Sequence, residues 1–283
     1  MILVSGTKRS GTSMWMQVLQ AAGLPIIGEV FSHAWAPSIR DANPRGFFES
    51  RLRKGVYSET NPDPRTGVFL DPVSTAFHAV KVFVPGLLRT EPAYLGRVVA
   101  TLRDWRSYTA SLRRLYEMED RYLASSPLQE GETEEQRAKG LTRAQARRGG
   151  LPPPVEWWFD NHALLHDIAA RRYPCRLVSY ARVLADPEPE VRQVLAWIGR
   201  GDPGSAVSAV EPSLRTQVDS HVDTAGVLHP SAIRVFDDLY DHVHQQRPFD
   251  PVLLERMDAL QRDLEPRWST RTRWEDAYED PET

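Results

Sequence analysis

Short apolar runs alternate along this chain with longer stretches of helical period. Ile2–Val4, Ala79–Val84, Val98–Leu102 and Arg176–Ser179 read as strands, whereas Met14–Ala22, Ser107–Tyr122, Val155–Arg171 and Glu190–Ile198 read as helices. Strands separated by helical crossovers predict a parallel sheet with helices on both faces, an α/β architecture. Ligands of such sheets bind beyond the carboxyl ends of the strands. Gly6–Ser13 and Arg103–Asp104 both fall at strand ends, so the sheet is expected to bring them together.

Two stretches break the alternation. Ser125–Pro154 is rich in Glu, Gln, Arg and Gly and ends in Gly149-Gly150-Leu151-Pro152-Pro153-Pro154. It reads as a mobile insertion with a short helix at Glu132–Ala146, either a solvated surface loop or a substrate lid. Gly201–Ser220 reads as irregular and polar. Ser231–Leu264 reads as two helices broken at Pro248 and Pro251. Residues 1–283 are taken as a single domain around these elements.

Composition narrows the functional classes. Hydrophobic residues make up 41% of the chain and charged residues 26%, ordinary values for a globular protein. The formal net charge of -3 gives no global basic field, which speaks against nucleic acid as partner. No apolar run approaches the roughly 20 residues of a membrane span, so no membrane partner is expected. The single cysteine, Cys175, leaves no internal disulfide and reads as a buried structural thiol in a cytoplasmic protein. No cluster of His, Cys and Asp with metal-ligand spacing stands out, and no metal is expected. No heptad or apolar stripe commits the chain to an oligomer.

The chemistry concentrates at the first strand end. Gly6-Thr7-Lys8-Arg9-Ser10-Gly11-Thr12-Ser13 has the outline of a phosphate-binding loop, a glycine-rich turn between a strand and a helix. A nucleotide-hydrolysing loop reads G-x-x-x-x-G-K-[ST]. Here Thr12 holds the lysine position, and the cations have moved into the loop at Lys8 and Arg9. Glycines let the backbone wrap an anion, and the N–H groups of Gly11, Thr12 and Ser13 would open a helix toward it. The Thr12 and Ser13 hydroxyls add donors, and Arg9 offers a planar fork to phosphate or sulfonate oxygens. Beyond the third strand, Arg103 and Ser111 could grip a second phosphate.

These two motifs in order resemble those of sulfotransferases that use 3′-phosphoadenosine 5′-phosphosulfate (PAPS). Lys8-Arg9-Ser10-Gly11-Thr12-Ser13 is similar to that family's 5′-phosphosulfate loop, and Arg103 with Ser111 to its pair for the 3′-phosphate. Asp41–Glu49 looks like an acidic motif of bacterial members, and Tyr180–Ile198 like a later element near the cofactor. The resemblance spans residues 1 to 220. It implies a P-loop-NTPase-like central parallel sheet flanked by helices, and transfer of a sulfonate from PAPS to a hydroxyl, or less readily an amine, of a small-molecule acceptor. Adenosine 3′,5′-bisphosphate would be the product, and no metal would be needed.

By the same resemblance Arg9 sits beside the bridging oxygen of the phosphosulfate, and Thr12 and Ser13 bind the 5′-phosphate. Lys8, Ser10, Gly11, Tyr180 and Arg215 complete the cofactor set. Phe83 stands where many members carry a catalytic histidine. Glu49 is therefore the expected general base, with His33 and His78 as alternatives. Met14 replaces a common tryptophan near the adenine, and Trp15 would point to another helix face. The acceptor pocket is expected around His33–Trp35, Asp41–Glu49 and Ser125–Pro154. Two other readings remain open: a small-molecule kinase with a divergent loop, and a nucleotide-binding module without catalysis.

Overall fold

Ile2, Leu3, Val4 and Ser5 are all buried, as a strand covered on both faces requires, and they form β1 in the middle of the sheet. The computed structural model describes residues 1–31, 42–125, 128, 133–214, 222, 224 and 226–271. After β1 come α1 (Thr12–Ala21), β2 (Ile26–Ile27), β3 (Ala79–Lys81), α2 (Val84–Arg89), β4 (Arg97–Leu102), α3 (Trp105–Ala124) and α4 (Glu134–Gly149). The chain continues through α5 (Pro153–Arg171), β5 (Cys175–Ser179), α6 (Tyr180–Ala185), α7 (Pro187–Ile198), α8 (Pro203–Ser208), α9 (Pro230–His244) and α10 (Pro251–Trp268). Short 3₁₀ turns stand at Arg51–Lys54, Pro92–Tyr94 and Pro212–Leu214.

Among the described residues the strands make a 5-stranded sheet in the order β2-β3-β1-β4-β5, with every neighbouring pair parallel. The fold is thus α/β with helices flanking a parallel sheet, as the alternation of short runs and helical periods implied. Register aligns Val4 with Lys81, Ser5 with Ala100, and Leu102 with Ser179. The carboxyl ends of β1, β3, β4 and β5 therefore share one edge.

Strand residues alternate between two cores. Ile2, Val4, Val99 and Val178 face α1, α7 and α8, whereas Leu3, Val80, Val98 and Ala100 face α2 and Leu164 of α5. A third core gathers Trp105, Trp157, Trp158 and Phe236 beneath α9 and α10. Trp158 and Phe236 stack with centroids 4.9 Å apart. Trp157-Trp158-Phe159 is thus core packing rather than a pocket wall. Among the described residues no helix is long and apolar enough to cross a membrane.

Several boundaries moved for local reasons. The strand expected over Ala79–Val84 stops at Lys81, because Pro85 lies in the first turn of α2 and fixes a helical φ there. The helix expected at Glu132–Ala146 runs over Glu134–Gly149 and approaches α3 where a Cβ on Gly140 would lie 2.6 Å from the Leu123 side chain. Pro203–Ser208 is helical within the stretch expected to be irregular, since Asp202 accepts from the N–H groups of Gly204 and Ser205. The tail is two helices as read. Pro251 opens the second rather than breaking it. Cys175 is half-buried on the edge strand β5, so it is less enclosed than expected.

Candidate functional site

The loop after β1 lies over the carboxyl edge because β1 is flanked by β3 and β4. Two glycines make its path possible. Gly6 has φ 148, and a Cβ there would lie 2.4 Å from the Thr101 carbonyl oxygen. Gly11 has φ 105, and its Cβ would meet the Tyr180 ring at 2.5 Å. Hydroxyls hold the loop from inside: Thr101 Oγ1 donates to the Ser10 carbonyl at 3.0 Å, and Ser10 Oγ to the Thr7 carbonyl at 2.6 Å.

Helix α1 then begins at Thr12 with Gly11 as its cap and no side-chain hydrogen bond closing the end. Its first-turn N–H groups lack intrahelical partners, which makes this terminus suited to an anion. Ser13 Oγ donates to the Phe47 carbonyl at 3.2 Å and so ties the loop to the Asp41–Glu49 segment.

The loop cations diverge. Arg9 takes a left-handed backbone, φ 61, and sends its guanidinium toward α3. There Nε donates to Ser111 Oγ at 3.2 Å and Nη2 to the Ala42 carbonyl at 3.0 Å. Lys8 turns toward β3, its Nζ 6.0 Å from the centre of the Phe83 ring. Arg103, at the end of β4 and only 5% exposed, donates from Nη1 to the Arg9 carbonyl at 2.9 Å and from Nε to Ser107 Oγ at 2.9 Å. Its guanidinium lies 4.8 Å from the centre of the Tyr180 ring.

The fold therefore brings Arg9, Gly11, Arg103, Ser111 and Tyr180 together, as the sequence suggested. Ser107, four residues before Ser111 and on the same helix face as the spacing implied, joins them through Arg103. Burial, then the nearby Arg103 and Arg114 charges, pull Arg9 down to about 10, with Tyr180 acting in the opposite direction. Arg9 stays cationic at neutral pH, yet its hydrogen-bond partners are a neutral hydroxyl and a neutral carbonyl. An anion placed here would relieve the repulsion between the two guanidiniums. Arg9 thus joins Arg103 and Ser111 rather than standing apart from them.

A second charged cluster occupies the β3 end. Lys81, 2% exposed, extends from the last residue of that strand. It donates to Glu49 Oε1 at 3.1 Å and to the Phe47 carbonyl. Arg53 Nη1 donates to Glu49 Oε2 at 2.8 Å. Burial pushes the Glu49 carboxyl up, but Lys81 and then Arg53 outweigh it and hold the group at about 2. A general base works best with a pKa near the operating pH. With both oxygens engaged, Glu49 as it stands is a weak proton acceptor and a firm anchor for Lys81. Lys81 escaped the sequence reading, although a lysine inside Ala79-Val80-Lys81-Val82 was its signal. Phe48, between Phe47 and Glu49, also holds a left-handed backbone, φ 54, a conformation that costs a bulky residue energy and gathers at functional sites.

Other expected residues lie elsewhere. His78 precedes β3 and so stands at the opposite edge of the sheet from Lys81. Trp15 is fully buried in the core, and Met14 packs beside it only in part. Arg215, His33, Trp35 and Asp41 fall outside the described residues, as does part of Ser125–Pro154. A scan against models of known protein families finds no match, and a search of the curated proteins finds none.

Proposed function

We propose that the chain is a PAPS-dependent sulfotransferase acting on a hydroxyl, or less readily an amine, of a small molecule. The observation that carries this reading is the paired Arg9 and Arg103 beside a helix start closed by no side chain, with Ser107 and Ser111 on the same side. One buried and one half-buried guanidinium with two hydroxyls suit a phosphate away from the loop. The glycine-shaped turn and the α1 terminus suit a second anionic group. A nucleotide phosphorylated at both its 3′ and 5′ ends uses both sites. A loop entering a helix from the central strand of a parallel sheet also supports a P-loop-NTPase-like fold. The lone cysteine supports a cytoplasmic location.

PAPS would supply the sulfonate and a phosphate leaving group. Thr12 and Ser13 would direct N–H groups at the 5′ side, and Lys8 would add positive charge between the loop and β3. Charge on the departing 5′-phosphate would be met by Lys8 and the α1 N–H groups, with Arg9 held on Ser111 beside the second phosphate. The acceptor oxygen attacks sulfur as the bond from sulfur to the bridging oxygen breaks. The electron pair leaves with the 5′-phosphate, and the acceptor proton passes to a base. Glu49 can take that proton once an acceptor draws Lys81 or Arg53 off one carboxylate oxygen. Until then it fixes Lys81 at the acceptor end.

Equilibrium binding tests the reading directly. PAPS and adenosine 3′,5′-bisphosphate should bind at least about tenfold tighter than ATP or AMP, the effect of about 1.4 kcal/mol from charge-assisted contacts to the extra phosphate. Tighter binding of ATP would overturn it. An acceptor screen by mass shift for an added sulfonate then separates an enzyme from a binding module.

A further inference from the structure

Between two of the outer helices, the fold joins two histidines to one aspartate. His162 and His166 stand one turn apart on α5 and share a face. Asp258 comes from α10, which lies along that face. Its Oδ1 is 3.3 Å from His162 Nε2 and 3.2 Å from His166 Nε2. The three donor atoms all lie within 4.8 Å of one another. With bonds of about 2.1 Å, neighbouring ligand atoms of a tetrahedral zinc site stand roughly 3.4 Å apart. The Asp258 contacts already have that spacing.

The surroundings prepare the site unevenly. His162 is 8% exposed, and its ring lies 5.7 Å from that of Trp158. Trp158 Nε1 in turn donates to Gln261 Oε1 of α10 at 3.0 Å, on the same side of the helix as Asp258. The core thus fixes one ligand. The side chains of His166 and Asp258 are 64% and 46% exposed, which leaves an ion a route from solvent. Glu265, further along α10, adds negative charge near His162. Two imidazoles and a carboxylate suit Zn²⁺ and its neighbours in the first transition series, not Mg²⁺ or Ca²⁺, which prefer oxygen alone.

We propose that His162, His166 and Asp258 form a site for a divalent transition-metal ion, Zn²⁺ above all, that clamps α10 to α5. The fourth position belongs to water or an external ligand. No cluster of metal-ligand spacing stood out from the sequence, yet the fold gathers these three side chains. The two histidines have the spacing of helical zinc ligands, but the third ligand lies on a helix far along the chain. The ion would bind over the aromatic core and hold its outer helix in place.

The test uses tag-free protein stripped with a chelator, then titrated with Zn²⁺ and separately with Co²⁺. One Zn²⁺ per chain should bind, and the thermal midpoint should rise by several degrees. Co²⁺ should give the visible absorption bands of a four-coordinate ion. His166→Gln and Asp258→Asn should each weaken Zn²⁺ binding at least about tenfold, with the circular dichroism spectrum and metal-free midpoint of the wild type. His166→Cys should keep the site. Absence of Zn²⁺ binding at micromolar concentrations overturns the proposal. So does binding that survives both His166→Gln and Asp258→Asn, because the ion would then sit on other histidines.

Discussion

Arg9 gathers three costs in one residue: a left-handed backbone, a desolvated charge and a like-charged neighbour in Arg103. Each persists only where the surroundings impose it. Glycine at this position removes all three along with the bonds to Ser111 and Ala42. Arg9→Gly should therefore leave stability unchanged or raise it by up to about 1 kcal/mol, while nucleotide affinity falls at least about tenfold. Denaturant unfolding and ligand titration on one preparation check both halves. Glu49 shows the opposite balance. Its folded-state value of about 2 lies below the ordinary 4.5, so its contribution is fully present above pH 4.5 and lost as pH falls toward 2. That contribution is on the order of 3 kcal/mol. Removing Glu49 alone would strand the buried Lys81 cation, at about 3–5 kcal/mol. The double variant Glu49→Gln with Lys81→Met avoids that cost. Its thermal midpoint should decline less steeply than the wild type's between pH 5 and pH 2.

At the scale of elements, the same carboxylate is held by how α2 meets the 3₁₀ turn Arg51–Lys54. A Cβ on Gly86 would lie 2.5 Å from the Arg53 carbonyl oxygen and 2.5 Å from the Lys54 carbonyl carbon, both backbone atoms. Gly86→Ala should push that turn outward, cost about 1–3 kcal/mol, and flatten the acid response by drawing Arg53 from Glu49. Thermal melts across pH read both effects. Long elements were legible from the chain because β1, β4, α1, α3 and α5 carry their own apolar periods. The two-residue β2 and the short α2, α6 and α8 were not, since a handful of residues holds no period and their boundaries depend on prolines and caps. The candidate site was legible where one segment carries the signal, as in Gly6–Ser13. It was not where distant segments meet, as when Lys81 and Arg53 close on Glu49.

Across the whole molecule, the aromatic core and the candidate site share a part. Trp157 Nε1 donates to the Arg103 carbonyl at 2.9 Å, and Trp157 lies 5.4 Å from Phe236 of α9. Phe236 is fully buried. Phe236→Ala should cost about 3–5 kcal/mol and also weaken nucleotide binding, because the strut behind Arg103 loosens. Chemical denaturation and titration of the folded fraction separate the two. A sequence cannot announce such a strut, since α9 lies far along the chain from the residues it supports. The central position of β1 also has a consequence in time. During synthesis β1 emerges before its partners, yet its hydrogen-bonding neighbours begin only at Ala79 and Arg97. Thr101, Arg103, Ser111 and Tyr180, which shape the loop, follow later still. A growing chain therefore carries Ile2–Ser5 as an unpaired apolar strand until β3 and β4 have left the ribosome, and long-range pairing of this kind closes slowly. Ribosome-bound chains stalled before β4 should stay open to protease and chaperone, and acquire resistance only once that strand is free to dock.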